Sequence, residues 1–110
     1  MKNDAFSMTL LFDFYGELLT EKQKTYFDLY YNQDFSLAEI AEEEGISRQG
    51  VHDALVRTES LLRNFEEKTG IVAKAMQRRA ALETIESAAK KVQDPALAQT
   101  ILTAVQTIKE

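Results

Sequence analysis

The stretch SLAEIAEEEGISRQGVHDALVR, residues 36–57, decides how the rest of the chain is read. It opens on Ser36-Leu37-Ala38-Glu39, the form of a capping box. The hydroxyl accepts from the amide three residues on, and the glutamate reaches back to the cap's own amide. The helix started there stops at Gly45, where a left-handed backbone lets the chain turn within three residues. Ser47 then caps a second helix. Two capped helices about a glycine turn predict a helix-turn-helix. In that arrangement Ile40 faces inward, Ala41 is small where the helices cross, and Ile46 plugs the core between them. Val51 and either Ala54 or Leu55 pack back onto Ile40 and Ala41.

The same helical phase puts Arg48, Gln49, His52, Asp53 and Val56 on the outward side of the second helix, with Ser47 at its start. In a DNA-binding unit that side enters the major groove, N-terminal end first. Arg48 and Gln49 carry the paired hydrogen-bonding groups that read guanine and adenine edges. His52 suits a base or a phosphate, and Arg57 or Arg63 suits the backbone. The expected DNA-binding set is therefore Ser47, Arg48, Gln49, His52, Asp53, Val56 and Arg57. Opposing features sit beside it. Glu44 stands where an apolar residue often closes the core between the helices. Gly50 costs about 1 kcal/mol relative to alanine inside a helix. Asp53 repels phosphate unless it accepts from a cytosine amino group. Glu42-Glu43-Glu44 reads as a solvated face, on the helix that would cross the DNA backbone.

Outward from this stretch the chain reads as helix throughout. Asn3 and Asp4 precede an apolar run, Phe6 to Tyr15, that ends at Gly16. Met8, Phe12, Tyr15 and Leu19 follow one line on that helix; Leu11, Phe14 and Leu18 follow another. A helix apolar around so much of its circumference needs cover on two sides, which points to a subunit contact. Thr20-Glu21-Lys22-Gln23 is a further capping box and predicts a helix to about Tyr31. The helix from Ser47 meets no strong breaker before Gly70, with Val51, Leu55, Thr58, Leu62 and Phe65 recurring along it. Beyond Gly70, Ile71, Ala75, Leu82, Ile85, Ala89 and Val92 mark another amphipathic helix, its seam interrupted by Arg78. Asp94-Pro95 restarts the chain, and Leu97, Ile101, Val105 and Ile108 form the stripe of a last helix. The expectation is an all-α helix-turn-helix bundle of about six helices. Residues 1–70 form the helix-turn-helix domain, and 71–110 form a C-terminal helical arm for packing or dimerisation.

Composition agrees with that class. The 110 residues are 45% hydrophobic and 28% charged, with four glycines, one proline and no cysteine. Such a chain is neither disordered nor built on a disulfide framework, an iron–sulfur site or a thiol nucleophile. It contains no apolar run long enough for a membrane span, and no basic-then-apolar start of a secretory signal, so a cytoplasmic protein without membrane contact is expected. The single His52 has no cysteine or second histidine to build a metal site. The glycines at 16, 45, 50 and 70 never cluster into a phosphate-cradling loop. The expectation is no enzyme, no cofactor and no metal. Charge cuts the other way. The net charge is −5, and residues 1–35, 36–70 and 71–110 carry −3, −4 and +2. A nucleic-acid binder usually carries a basic surplus.

Leu11-Phe12-Asp13-Phe14-Tyr15, Leu18-Leu19-Thr20-Glu21-Lys22-Gln23, Ser36 through Ala41 and Ser47-Arg48-Gln49-Gly50-Val51 together resemble the YlxM family. These are small bacterial helix-turn-helix proteins, similar here to the fourth region of housekeeping sigma factors. The resemblance spans roughly residues 6–70 and thins out past Gly70; Glu44 and Gly50 depart from the family's bulky apolar residue and alanine. It implies a DNA-binding protein, a transcription regulator with a part in the signal recognition particle pathway or its regulation. It also implies that Ser47, Arg48, Gln49, His52 and Asp53 match the start of the recognition helix. Two kinds of partner stay open: double-stranded DNA bound by a homodimer, or components of the signal recognition particle bound through the same fold as an adaptor. In the second case Lys74, Arg78, Arg79, Lys90 and Lys91 would either meet RNA or simply solvate their helix. Dimerisation would fall to the first helix or to the helices after Gly70.

Overall fold

The computed structural model describes residues 4–110; Asn3, read above as part of a cap, lies outside them. The described residues form six α-helices and no strand: α1 (Ala5–Tyr15), α2 (Glu21–Phe27), α3 (Leu37–Glu44), α4 (Arg48–Thr69), α5 (Ile71–Ala89) and α6 (Pro95–Lys109). They fall into two compact units, one extending to Val72 and the other comprising Ala73–Glu110.

In the first unit α1 to α4 each start with a side-chain cap. Asp4 accepts from the Ser7 amide at 3.3 Å and from the Ser7 hydroxyl at 2.7 Å. Both capping boxes form. Thr20 Oγ1 accepts from the Gln23 amide at 3.2 Å while Gln23 Oε1 accepts from the Thr20 amide at 2.9 Å. Ser36 and Glu39 exchange the same pair of bonds, each at 3.0 Å. Two boundaries differ from the reading above. Gly16 keeps a right-handed backbone and carries α1 into a 3₁₀ turn, Gly16–Leu18; the chain leaves the helix only at the extended Leu19. The helix predicted to reach Tyr31 is α-helical to Phe27 and then widens into a π-helical turn, Asp28–Asn32.

α4 is the axis of this unit, and α1, α2 and α3 all pack against it. Phe27, Ile40, Val51, Leu55 and Leu62 are wholly buried and form its centre. Phe27 stacks on Phe12 at 4.4 Å between ring centroids and on Tyr31 at 4.4 Å, while Tyr30 meets Tyr31 edge-on at 5.2 Å. Of the two apolar lines on α1, Met8, Tyr15 and Leu19 are buried together with Leu11. Phe14 and Leu18 of the second line stay exposed, as does Phe6 at 77%. α4 alone cannot cover a helix that is apolar on two sides.

The second unit has a thinner core, in which Leu82, Ala89 and Val105 are buried. Asp94 caps α6 through the amides of Ala96 and Leu97, and Pro95 takes the first turn. Lys109 Nζ lies 2.5 Å from Glu86 Oε1. Three stripe residues here are exposed rather than buried: Ile85, Leu97 and Ile108. Ile71, in the first unit, is also exposed. Helical period locates an apolar stripe, but two helices can cover each other only along one narrow seam.

Candidate nucleic-acid interface

The turn between α3 and α4 is set by Gly45, with φ 69° and ψ 31°. A side chain there would meet no neighbour within 4 Å, so the backbone angle alone explains the glycine. The Ala41 carbonyl accepts from the Gly45 amide and from the Ile46 amide, the latter at 3.1 Å. This closes α3 with the carbonyl bonding typical of a left-handed cap. Ile40, Val51 and Leu55 pack inside as the spacing requires, and Ala41 and Ala54 border them half-buried. Ile46 does not plug the core: it is 39% exposed. Its side chain lies beside Gly50.

Ser47 starts α4 and accepts the Gly50 amide on its Oγ at 3.0 Å. A Cβ on Gly50 would lie 3.1 Å from that hydroxyl and 3.6 Å from Ile46 Cδ1. The glycine thus leaves room around the cap. Unlike α2 and α3, α4 has no acidic residue in its first turn. The positive end of its dipole is left uncompensated, and its first amides lack intrahelical carbonyls.

The buried side of α4 carries Val51, Leu55, Thr58, Glu59 and Leu62. Of the sequence-selected residues, Ser47, Arg48, Gln49, Asp53, Val56 and Arg57 are exposed and His52 is half-buried. Arg48, Gln49 and His52 line one groove at the start of α4, whereas Arg57, nine residues after Arg48, falls on the far side of the helix from it. Their side chains are not independent. Gln49 Nε2 donates to Asp53 Oδ1 at 2.9 Å, and His52 Nδ1 lies 3.4 Å from the same oxygen. The Gln49 hydrogen bond, followed by that of His52, holds the Asp53 carboxyl below the usual carboxylate range. Leu37, at the first turn of α3, lines a shallow groove with Arg48, Gln49 and His52. Sequence reasoning passed over it, although its place just after the Ser36 cap puts it at the same end of the unit. Glu42, Glu43 and Glu44 are exposed on α3. Among the described residues no group of histidine, cysteine and carboxylate side chains could hold a metal ion.

Two polar residues that hold this face in place were also missed. Glu59 is 2% exposed and accepts from the Tyr31 hydroxyl, tying α4 to the π-helical turn. Burial, and then the bond to Glu59, pushes the Tyr31 phenol above its ordinary range. Near the other end of α4, Glu66 accepts from the Tyr15 hydroxyl and, at 2.9 Å, from the Val72 amide. The available signal was positional: Glu59 stands four residues after Leu55, on the buried stripe.

A glycine turn, two capped helices and an uncovered outer face on the second define a helix-turn-helix protein. Residues 2–102 match the family described as "Putative helix-turn-helix protein, YlxM / p13 like", UPF0122. A UPF0122 protein of Caldanaerobacter subterraneus subsp. tengcongensis is 52% identical over 85 residues, 77% of this chain and 73% of its own. One from Halalkalibacterium halodurans is 48% identical over 91 residues, covering 83% of this chain and 84% of its own. One from Exiguobacterium sibiricum is 43% identical over 102 residues, 93% and 92% of the two chains. The chain belongs to the UPF0122 family of YlxM/p13-like helix-turn-helix proteins. No described helix is long and apolar enough to cross a membrane.

Proposed function

We propose that this chain is a cytoplasmic, non-enzymatic DNA-binding regulator of transcription, acting as a homodimer. The observation that carries the reading is the uncovered face of α4, with Arg48, Gln49 and His52 at the N-terminal end that a major groove would receive. The acid-free first turn adds support, because phosphates gather at such helix ends. Ser47, Arg48, Gln49, His52, Asp53, Val56 and Arg57 make up the interface. Arg48 reads a guanine edge and Arg57 holds backbone. The link to the signal recognition particle pathway, as participant or regulator, rests on the YlxM resemblance. Residues 1–70 serve as the reading domain and 71–110 as a helical arm for packing or dimerisation.

A second reading is favoured by one observation. Residues 36–70, which include the helix-turn-helix, carry −4, and Glu42–Glu44 are exposed where a DNA backbone would pass. An adaptor for protein or ribonucleoprotein components of the particle would tolerate that charge. Selection from a random duplex library, followed by titration at several salt concentrations, separates the two. The DNA reading predicts an enriched motif, affinity falling steeply with salt, and about a tenfold loss in Arg48→Ala. The adaptor reading predicts no motif, and capture of the particle that survives Arg48→Ala.

A further inference from the structure

Within the DNA-reading face, Asp53 is the residue whose charge argues against its place, since a carboxylate beside phosphates repels them. Its geometry supplies another use. Asp53 Oδ1 accepts from Gln49 Nε2 at 2.9 Å, one helical turn apart on the same exposed face. A glutamine amide has two N–H donors and one carbonyl, and recognition of an adenine edge takes one of each. The N–H given to Asp53 is the one left over. The amide rotated by half a turn would set Gln49 Oε1 against the Asp53 carboxylate, oxygen facing oxygen, so a charged Asp53 selects one of the two amide orientations. The same oxygen lies 3.4 Å from His52 Nδ1, which draws the neighbouring ring toward the pair.

We propose that Asp53 is a positioning residue rather than a base contact: it orients the Gln49 amide so that one N–H and Oε1 face an adenine. This rests on the DNA-reading proposal above. A purely structural i,i+4 pair on a helix surface would alter stability slightly and leave base preference alone. The test is the same random duplex DNA selection, run with the full chain carrying Gln49→Ala, Asp53→Ala or Asp53→Asn. Gln49→Ala identifies the adenine position by flattening it. Asp53→Ala should lower the preference at that same position by about fivefold, and Asp53→Asn, whose amide can accept or donate and so no longer fixes the Gln49 orientation, should lower it part of the way. A motif unchanged by Asp53→Ala overturns the proposal, as does flattening at a different base, which would make Asp53 a direct contact. A wild-type pool with no enriched motif overturns the DNA reading and this proposal with it. In the free protein, the Gln49 side-chain amide resonances should shift as the Asp53 carboxyl titrates and stop doing so in Asp53→Asn. Resonances indifferent to that titration would overturn the proposed orientation, whatever the DNA result.

Discussion

Gly50 is the residue at which local propensity and the site disagree. Inside a helix it should be destabilising by about 1 kcal/mol relative to alanine. A Cβ would lie 3.1 Å from the Ser47 hydroxyl, so part of the gain from Gly50→Ala is spent moving an exposed cap by a few tenths of an ångström. We expect a net stabilisation of about 0.5 kcal/mol, seen as a small rise in the urea midpoint with an unchanged slope. Tyr31 and Glu59 give a larger effect. Tyr31→Phe leaves a carboxylate that is 2% exposed without its phenolic donor. It should cost about 1–3 kcal/mol at neutral pH. The pH dependence has a definite sign. The native state holds the Tyr31 proton more tightly than the unfolded chain, whose phenol titrates near 10.0. The stability this contributes is whole below that pH and is lost as pH rises through the higher folded value. Circular dichroism above pH 10 should show the wild type losing stability more steeply than Tyr31→Phe. None of this was legible from spacing alone. Helical period marks position 59 as inward, but only the approach of the π-helical turn supplies the donor that makes a glutamate tolerable there.

At the scale of elements, short-range chemistry explains nearly every boundary. Ser36, Thr20, Ser47 and Asp94 cap the helices they were read to cap, because a cap depends on residues three apart. Ser36→Ala should destabilise by about 1 kcal/mol. Gly45→Ala forces a Cβ into a left-handed backbone of φ 69° and should cost about 1–2 kcal/mol. Thermal melts would rank the two, with Gly45→Ala the lower or equal. On the DNA reading proposed above, Gly45→Ala should also weaken binding, because the turn angle sets which side of α4 is free. Two departures from the reading stand out, one at a long-range contact and one at the turn. The π-helical turn at Asp28–Asn32 aims Tyr31 at Glu59, a long-range demand with no local signature. Ile46 was assigned to the core by its apolar character, yet it is 39% exposed just after the turn that closes onto Ala41.

At the scale of the whole molecule, exposed apolar surface bears on assembly. Phe6, Phe14 and Leu18 remain exposed on and after α1, consistent with the homodimer proposed above. Light scattering at micromolar concentration should give twice the chain mass, and Phe14→Glu should return it to the monomer; a monomeric wild type would remove the dimer. The sequence by itself determined the helical class, the caps and the glycine turn. These depend on bonds and phases within a few residues of one another. Only the tertiary structure decided that Glu59 is buried against Tyr31 and that Glu66 receives the Tyr15 hydroxyl. Burial and side-chain orientation depend on what arrives from elsewhere in the chain, and on which rotamers those neighbours leave open.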